Sequence, residues 1–222
     1  NTRLQVEHPV TELITGVDLV EQMIRVANGE ALSITQDDVK INGWALESRL
    51  YAEDPYRGFL PSIGRLTRYR PPAETRSAMA AVRNDTGVYE GGEISMFYDP
   101  MIAKAIAWGE TREVARHRLI EALKDTVMFG LTTNRGFLID VLGRDTFARG
   151  EATTAFIAEE FSDDDLVATT PDLMQAAMAA VLQYHDERQR ALACCVNVSP
   201  QLLNWSNGAN LVSRYVYAWD DT

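Results

Sequence analysis

Between Trp44 and Tyr51 the chain alternates apolar and polar side chains with a period of two. That spacing predicts a strand with Trp44, Leu46 and Leu50 on one face and Ala45, Glu47, Arg49 and Tyr51 on the other. A sheet with one apolar face has to bury it against a second layer, so this segment ties the chain to a layered fold. Met101–Trp108 is an almost unbroken apolar run, which predicts a strand buried on both faces. Arg65–Arg70, Val82–Val88 and Ile94–Tyr98 read as further strands, the last two around a Glu90-Gly91-Gly92 turn.

Helical spacing occupies the intervening stretches. Thr15 to Asn28 predicts a helix with Thr15 as N-cap and Gly29 just past its end. Thr111 caps a second helix running to about Phe129, with Val114, Ala115, Leu119, Ala122 and Leu123 as its apolar stripe and Gly130 as its stop. Asn134–Leu142 predicts a third, with Phe137, Leu138 and Val141 inward, and Thr153–Phe161 a fourth. The composition then shifts at Ser162-Asp163-Asp164-Asp165 and Thr169-Thr170-Pro171. We expect a first domain over 1–161, an acidic linker over 162–170 and an incomplete second domain over 171–222. The latter begins with a long helix to about Ala193 and ends in a strand-like Arg214–Trp219. The fold class is α+β: an antiparallel sheet with packed helices, then a long helix and the start of a second domain.

With a net charge of −11, the 222-residue chain repels nucleic acid and anionic membrane surfaces, and neither is an expected partner. No apolar run reaches the roughly 18 residues that cross a bilayer. Cys194 and Cys195 are adjacent, which disfavours a bridge between them, and no metal-type cysteine spacing exists. The first residue is Asn rather than Met, so the chain is expected to begin inside a longer protein.

The segment most suggestive of chemistry is Asn1-Thr2-Arg3-Leu4-Gln5-Val6-Glu7-His8-Pro9. In an extended chain Asn1, Arg3, Gln5 and Glu7 share a face, and Pro9 ends the strand. Two amides, a guanidinium and a carboxylate on one face suit a small planar oxyanion, with Glu7 kept ionised by Arg3 and able to act as a base. The simpler alternative is a solvated sheet face; by the same token Arg49 reads as a surface cation paired with Glu47 or Glu53. His8 at a strand end reads as structural, His117 and His185 as solvated, and the two cysteines as packed or half-buried rather than reactive.

Asn1 to Glu12, NTRLQVEHPVTE, is similar to the signature near the end of the ATP-grasp region of biotin carboxylases. Thr15–Val20, Glu47–Pro55, Phe59–Ser62, Tyr98–Lys104 and Thr132–Asn134 match the same family in the same order. The resemblance covers Asn1 to about Phe161. It implies a ligase that uses ATP and bicarbonate to form carboxyphosphate and then carboxylates biotin. By position, Arg3, Gln5 and the backbone amide of Val6 would hold bicarbonate and Glu7 would deprotonate it. Arg49 would help hold bicarbonate and stabilise the ureido oxyanion of biotin. Asn1 would lie beside the Mg²⁺-ATP site.

The family's phosphate-binding glycine loop, nucleotide-binding lysines and metal-binding glutamates precede Asn1, and no Ala-Met-Lys-Met carrier motif is present. The chain alone is therefore expected not to turn over ATP. Leu60–Leu66 resembles propionyl-CoA carboxylase and Ile106–Glu113 resembles the 3-methylcrotonyl-CoA and geranyl-CoA branch. The long helix after Phe161 resembles acyl-CoA carboxylase α subunits, where it begins the domain linking biotin carboxylase to carboxyltransferase. The implied partners are a biotin carboxyl carrier domain, a carboxyltransferase β subunit and a second copy of this lobe. The implied compartment is bacterial cytoplasm, or else the mitochondrial matrix. A non-catalytic dimerisation or subunit-interaction module is the alternative, and a free-standing carboxylate sensor using Arg3 and Arg49 a distant third.

Overall fold

The computed structural model describes residues 7–72, 81–167, 170–196, 199–202, 205, 207–208 and 212–218. They fall into two compact units that divide after Leu166. In the first unit the elements run α1 (Glu7–Thr15), α2 (Leu19–Ala27), β1 (Trp44–Tyr51), β2 (Glu53–Asp54), β3 (Leu60–Pro61), β4 (Gly64–Arg65), β5 (Arg68–Arg70), β6 (Val82–Thr86), β7 (Glu93–Ile94) and β8 (Met101–Gly109). They continue with α3 (Arg112–Asp125), β9 (Val127–Phe129), α4 (Arg135–Gly143), α5 (Asp145–Arg149) and α6 (Phe156–Glu160). The second unit contains α7 (Leu173–Cys194).

The main sheet is antiparallel, ordered β1-β8-β6, and three two-stranded ladders (β2-β3, β4-β7 and β5-β9) flank it. β8 lies in the middle, hydrogen-bonded along both edges and covered on both faces, which is why its sequence is almost continuously apolar. Ala103, Ala105 and Ala107 form a strip of small side chains on one face, with Leu46 and Leu50 beside them on β1. Onto that strip α3 packs Leu119, Ile120 and Leu123, all buried. Small residues on the sheet allow close approach of the helix, and Leu142 of α4 closes the cluster. A second cluster joins Phe137, Phe156 and Phe161, with Phe59 edge-on to Phe137 at 5.1 Å.

The strands β1 and β8 and the helices α3, α4 and α7 occur where the spacing predicts them. Elsewhere the structure corrects the sequence reading. The segment expected to run extended to Glu7 and to end at Pro9 is helical from Glu7 onward. Proline is tolerated in a first helical turn, where its missing N–H has no partner to lose. Thr15 closes α1, its hydroxyl bonded back to the Thr11 carbonyl, rather than capping α2. Gly16, at φ +72°, breaks the helix there, and Asp18 caps α2 by accepting from the Glu21 amide.

The helix expected to reach Phe129 stops at Asp125. Thr126 turns its hydroxyl onto the Ala122 carbonyl, and Val127–Phe129 pairs with β5. Of Ile94–Tyr98 only Ile94 is in a strand, paired through β7 with β4. Met96–Tyr98 form an exposed turn. α5 was not anticipated at all.

In the second unit an Asp172/Gln175 capping box starts α7, each side chain accepting from the other's backbone amide. The expected strand Arg214–Trp219 is not formed over the described residues 212–218. Instead the Tyr215 and Tyr217 hydroxyls donate to Glu187 and Gln183 of α7; Trp219 lies outside the described residues. Cys194 is exposed and Cys195 half-buried, both unbridged. No described helix is long and apolar enough to cross a membrane.

Candidate functional site

Because β1, β8 and β6 are in register, their side chains fall into rows across the sheet. On the face opposite α3, one row reads Glu47, Ile106, Arg83 and the next reads Arg49, Lys104, Asp85. This places Arg49 on the polar face that the alternation of Trp44–Tyr51 predicts. It also sets two cations, Arg49 and Lys104, directly opposite each other on neighbouring strands, an arrangement that is destabilising unless something anionic attends it.

Part of this face is covered by α1, which packs on β1 and β8. Glu12 of α1 reaches the sheet and takes a 2.6 Å bond from Arg83 Nη1, while Arg83 grips Asp85 through Nε and Nη2 at 2.8 and 2.9 Å. Asp85 first, then Glu12, holds Arg83 more firmly charged than a free arginine, against the effect of burial. The other Glu12 oxygen accepts from the Leu19 amide at 2.8 Å and lies 3.1 Å from the buried His8 Nε2. This network ties α1 to the sheet, and His8 belongs to it. His8, expected at a strand end, is buried within a helix instead.

Beyond the covered part stands Arg49, with about a third of its side chain exposed. Its Nε donates to Glu47 Oε1 at 3.2 Å. Glu47 is no ordinary surface partner: its side chain is 1% exposed, and Oε2 is buried with no hydrogen-bond partner among the described residues. Burial pushes the Glu47 carboxyl above its usual pKa, with the Arg49 hydrogen bond and the Lys104 charge pulling the other way. Burial also works against the charge on Arg49, but hydrogen bonds to Glu47 and Tyr51 outweigh it, so the guanidinium stays charged.

The backbone under Arg49 is fixed from a third direction. Asn134, at the start of α4, accepts from the Tyr51 amide through Oδ1 at 2.9 Å and donates from Nδ2 to the Arg49 carbonyl at 3.1 Å. Its own amide donates to the Tyr51 carbonyl. An asparagine at a helix start ordinarily caps its own helix. Here the side chain makes no capping bond, being committed to β1.

Of the residues singled out in the sequence, Asn1, Arg3, Gln5 and Val6 lie outside the described residues, and of Glu7 only the helical backbone is described. A meeting of Arg3, Glu7 and Arg49 in one cleft, which their implied roles require, therefore lies outside the described residues. Glu53, the other carboxylate considered for Arg49, is not its partner; Glu47 is. Sequence reasoning gave no role to Lys104, Asn134, Glu12 or Arg83. Lys104, Asn134 and Glu12 lie inside the matched motifs Tyr98–Lys104, Thr132–Asn134 and Asn1–Glu12, the available signal. His117 is exposed on α3 and paired with Glu113, as its position on the helix suggests.

The model of the biotin carboxylase C-terminal domain matches residues 47–159, just over half of the chain, and that of the ATP-binding domain of the carbamoyl-phosphate synthase L chain matches residues 1–35. The propionyl-CoA carboxylase alpha chain of Ruegeria pomeroyi is 60% identical over 201 residues, covering 83% of this chain and 30% of its own length. The human mitochondrial propionyl-CoA carboxylase alpha chain is 40% identical over 224 residues, covering 95% of this chain and again 30% of its own. Among solved structures, the biotin carboxylase domain dimer of Hydrogenobacter thermophilus 2-oxoglutarate carboxylase, in complex with MgADP, ADP and bicarbonate, superposes with a TM-score of 0.69. It is 40% identical and covers 77% of this chain and 36% of that one. The chain thus spans less than a third of the curated relatives it matches. With the charged face of β1 and β8 and the α+β architecture that carries it, these matches show that the chain belongs to the biotin carboxylase C-terminal domain family.

Proposed function

We propose that this chain supplies the bicarbonate and biotin side of a biotin-carboxylating site in an acyl-CoA carboxylase α subunit. The observation that carries the reading is the pair of cations, Arg49 and Lys104, opposed on β1 and β8, with about a third of the Arg49 side chain exposed. A planar anion would relieve their repulsion, and a guanidinium offers it two parallel donors. In this reading Arg3, Gln5 and the Val6 amide hold bicarbonate and Glu7 removes its proton. Arg49 helps hold bicarbonate and stabilises the negative charge that develops on the ureido oxygen of biotin. Biotin on a carrier domain supplies the nitrogen that accepts the carboxyl group. The magnesium that accompanies ATP would neutralise phosphate charge, with Asn1 beside it. Among the described residues no group of three or more His, Cys, Asp or Glu side chains is gathered to hold it.

The partners that go with this reading are the carrier domain, a carboxyltransferase β subunit and a second copy of the lobe. α7 supports a subunit-contacting role alongside the chemistry: Leu173, Met174, Val181 and Leu182 are each more than 60% exposed on it.

The test is a chimera in which this chain replaces the matching segment of the Ruegeria pomeroyi alpha chain. We expect biotin-dependent, bicarbonate-dependent ATP turnover from the chimera and none from the chain alone. Arg49→Ala should lower kcat by about 10²–10³, the usual cost of one oxyanion donor. A chimera whose turnover is unchanged by Arg49→Ala refutes the assignment.

A further inference from the structure

Glu47 is an expensive residue for the fold to keep. A carboxylate that is 1% exposed, with one oxygen unpaired among the described residues, loses the hydration of both oxygens and recovers one hydrogen bond from those residues. Leaving a buried acceptor unsatisfied is costly, more so when it is charged, and such a group calls for an explanation beyond stability. Ile106, the neighbour of Glu47 across β8, is fully buried, so an apolar residue on β1 could pack at this position too.

What Glu47 does is visible in its bond to Arg49. It takes the Nε–H of Arg49, two residues along the same face of the strand. Asn134 meanwhile holds the Arg49 carbonyl and the Tyr51 amide. The backbone at Arg49 is thus held by Asn134 and its side chain by Glu47 first and Tyr51 second, and about a third of the side chain remains open. An unrestrained arginine samples many rotamers, and aiming one in advance removes that entropy from the reaction.

We infer that Glu47 is a positioning residue for this site, which fixes the aim of Arg49 through the Nε–H bond without touching substrate itself. The inference rests on the reading of Arg49 given above.

The experiment uses the chimeric alpha chain with free biotin, assayed well below its thermal midpoint. Glu47→Ala should lower kcat about 30-fold while KM for ATP stays within twofold, because nucleotide binding does not involve this contact. Glu47→Gln keeps an acceptor at the same reach and should recover at least tenfold of that loss. Glu47→Asp keeps the charge but falls short by a methylene, and should stay near the alanine value. Should Glu47→Ala not fold, the Gln and Asp variants still decide. An Asp variant as active as the parent, or a Gln variant as impaired as Asp, overturns the inference. Loss of activity that simply follows a fall in thermal midpoint, with KM for ATP rising in parallel, also overturns it. Arg49→Ala in the same background separates the two readings. If it is silent the assignment of Arg49 fails; if it is severe while Glu47→Ala is silent, only the positioning role fails.

Discussion

Replacing Asn134 with alanine removes one side chain and orphans two groups on another element. Asn134 is 6% exposed and bonds the Tyr51 amide and the Arg49 carbonyl at 2.9 and 3.1 Å. An unsatisfied buried backbone group costs about 1–3 kcal/mol. Tyr51 and Arg49 are each half-buried, so water reaches part of what is freed, and the two together should cost about 2–4 kcal/mol. That is a large fraction of the roughly 5–15 kcal/mol that holds a domain folded. At this size it corresponds to a thermal midpoint lower by roughly 5–15 °C.

Urea unfolding followed by far-ultraviolet circular dichroism measures the loss. Hydrogen exchange at the Tyr51 amide locates it, since that N–H has Asn134 Oδ1 as its acceptor. Asn134→Asp sharpens the test. It keeps an acceptor for Tyr51 but turns an oxygen toward the Arg49 carbonyl, so it should be no better than alanine. A loss under 1 kcal/mol with the Tyr51 amide still protected would refute the argument that this side chain completes the edge of β1.

Three other outcomes follow from the same structure. Gly130 sits at φ +100°, and a Cβ there would meet the Arg65 carbonyl, so Gly130→Ala should cost about 2–4 kcal/mol in denaturant unfolding and loosen the β5-β9 ladder. Ala105 is fully buried between the sheet and α3, so Ala105→Leu should destabilise by about 1–3 kcal/mol through overpacking, while an exposed site such as Glu121→Leu should change little. Bonds from the Ser162 amide and hydroxyl, and then the Arg144 guanidinium, lower the Asp165 pKa from 3.8 to about 2. A depressed carboxylate contributes stability that is whole above its unfolded pKa and is lost as pH falls through its folded one. The stability difference between wild type and Asp165→Asn should therefore be constant above about pH 5 and shrink between about pH 4 and pH 2. A flat difference across that range refutes the linkage.

Much of the first unit was legible because burial there has a simple period. The alternation in Trp44–Tyr51 and the nearly continuous apolar run of Met101–Trp108 read directly as a strand and a buried strand, and both are found. The elements that were misplaced are those decided by a local competition the period does not register. Glycine at position 16 ends one helix where a single helix start was expected, and Thr126 ends α3 early by bonding to the preceding turn. At Met96–Tyr98 apolar residues that read as a strand are the exposed tip of a turn.

The site was legible in part. Strand parity put Glu47 and Arg49 on one face, but the sequence offered Glu53 equally as a partner and presented the pair as superficial. That Glu47 is enclosed has no local signature, and the placement of Lys104 opposite Arg49 depends on the pairing of two strands distant in sequence. Asn134 lies 83 residues from Tyr51, and its reach to β1 has no local signature beyond the Thr132–Asn134 match.

The strip of alanines beneath α3 has a consequence for the chemistry on the other side of the sheet. A strand has only two faces, so any slip of β1 against β8 by one position would bring Leu50 out and turn Arg49 inward. Leu50 is fully buried in the cluster that α3 closes, and the slip would exchange it for a guanidinium with no counter-ion in hydrocarbon. Hydrocarbon on one side thus acts as the alignment gauge for a cation on the other. Mutations that soften the alanine strip are then expected to scatter the direction of Arg49 before they unfold the domain.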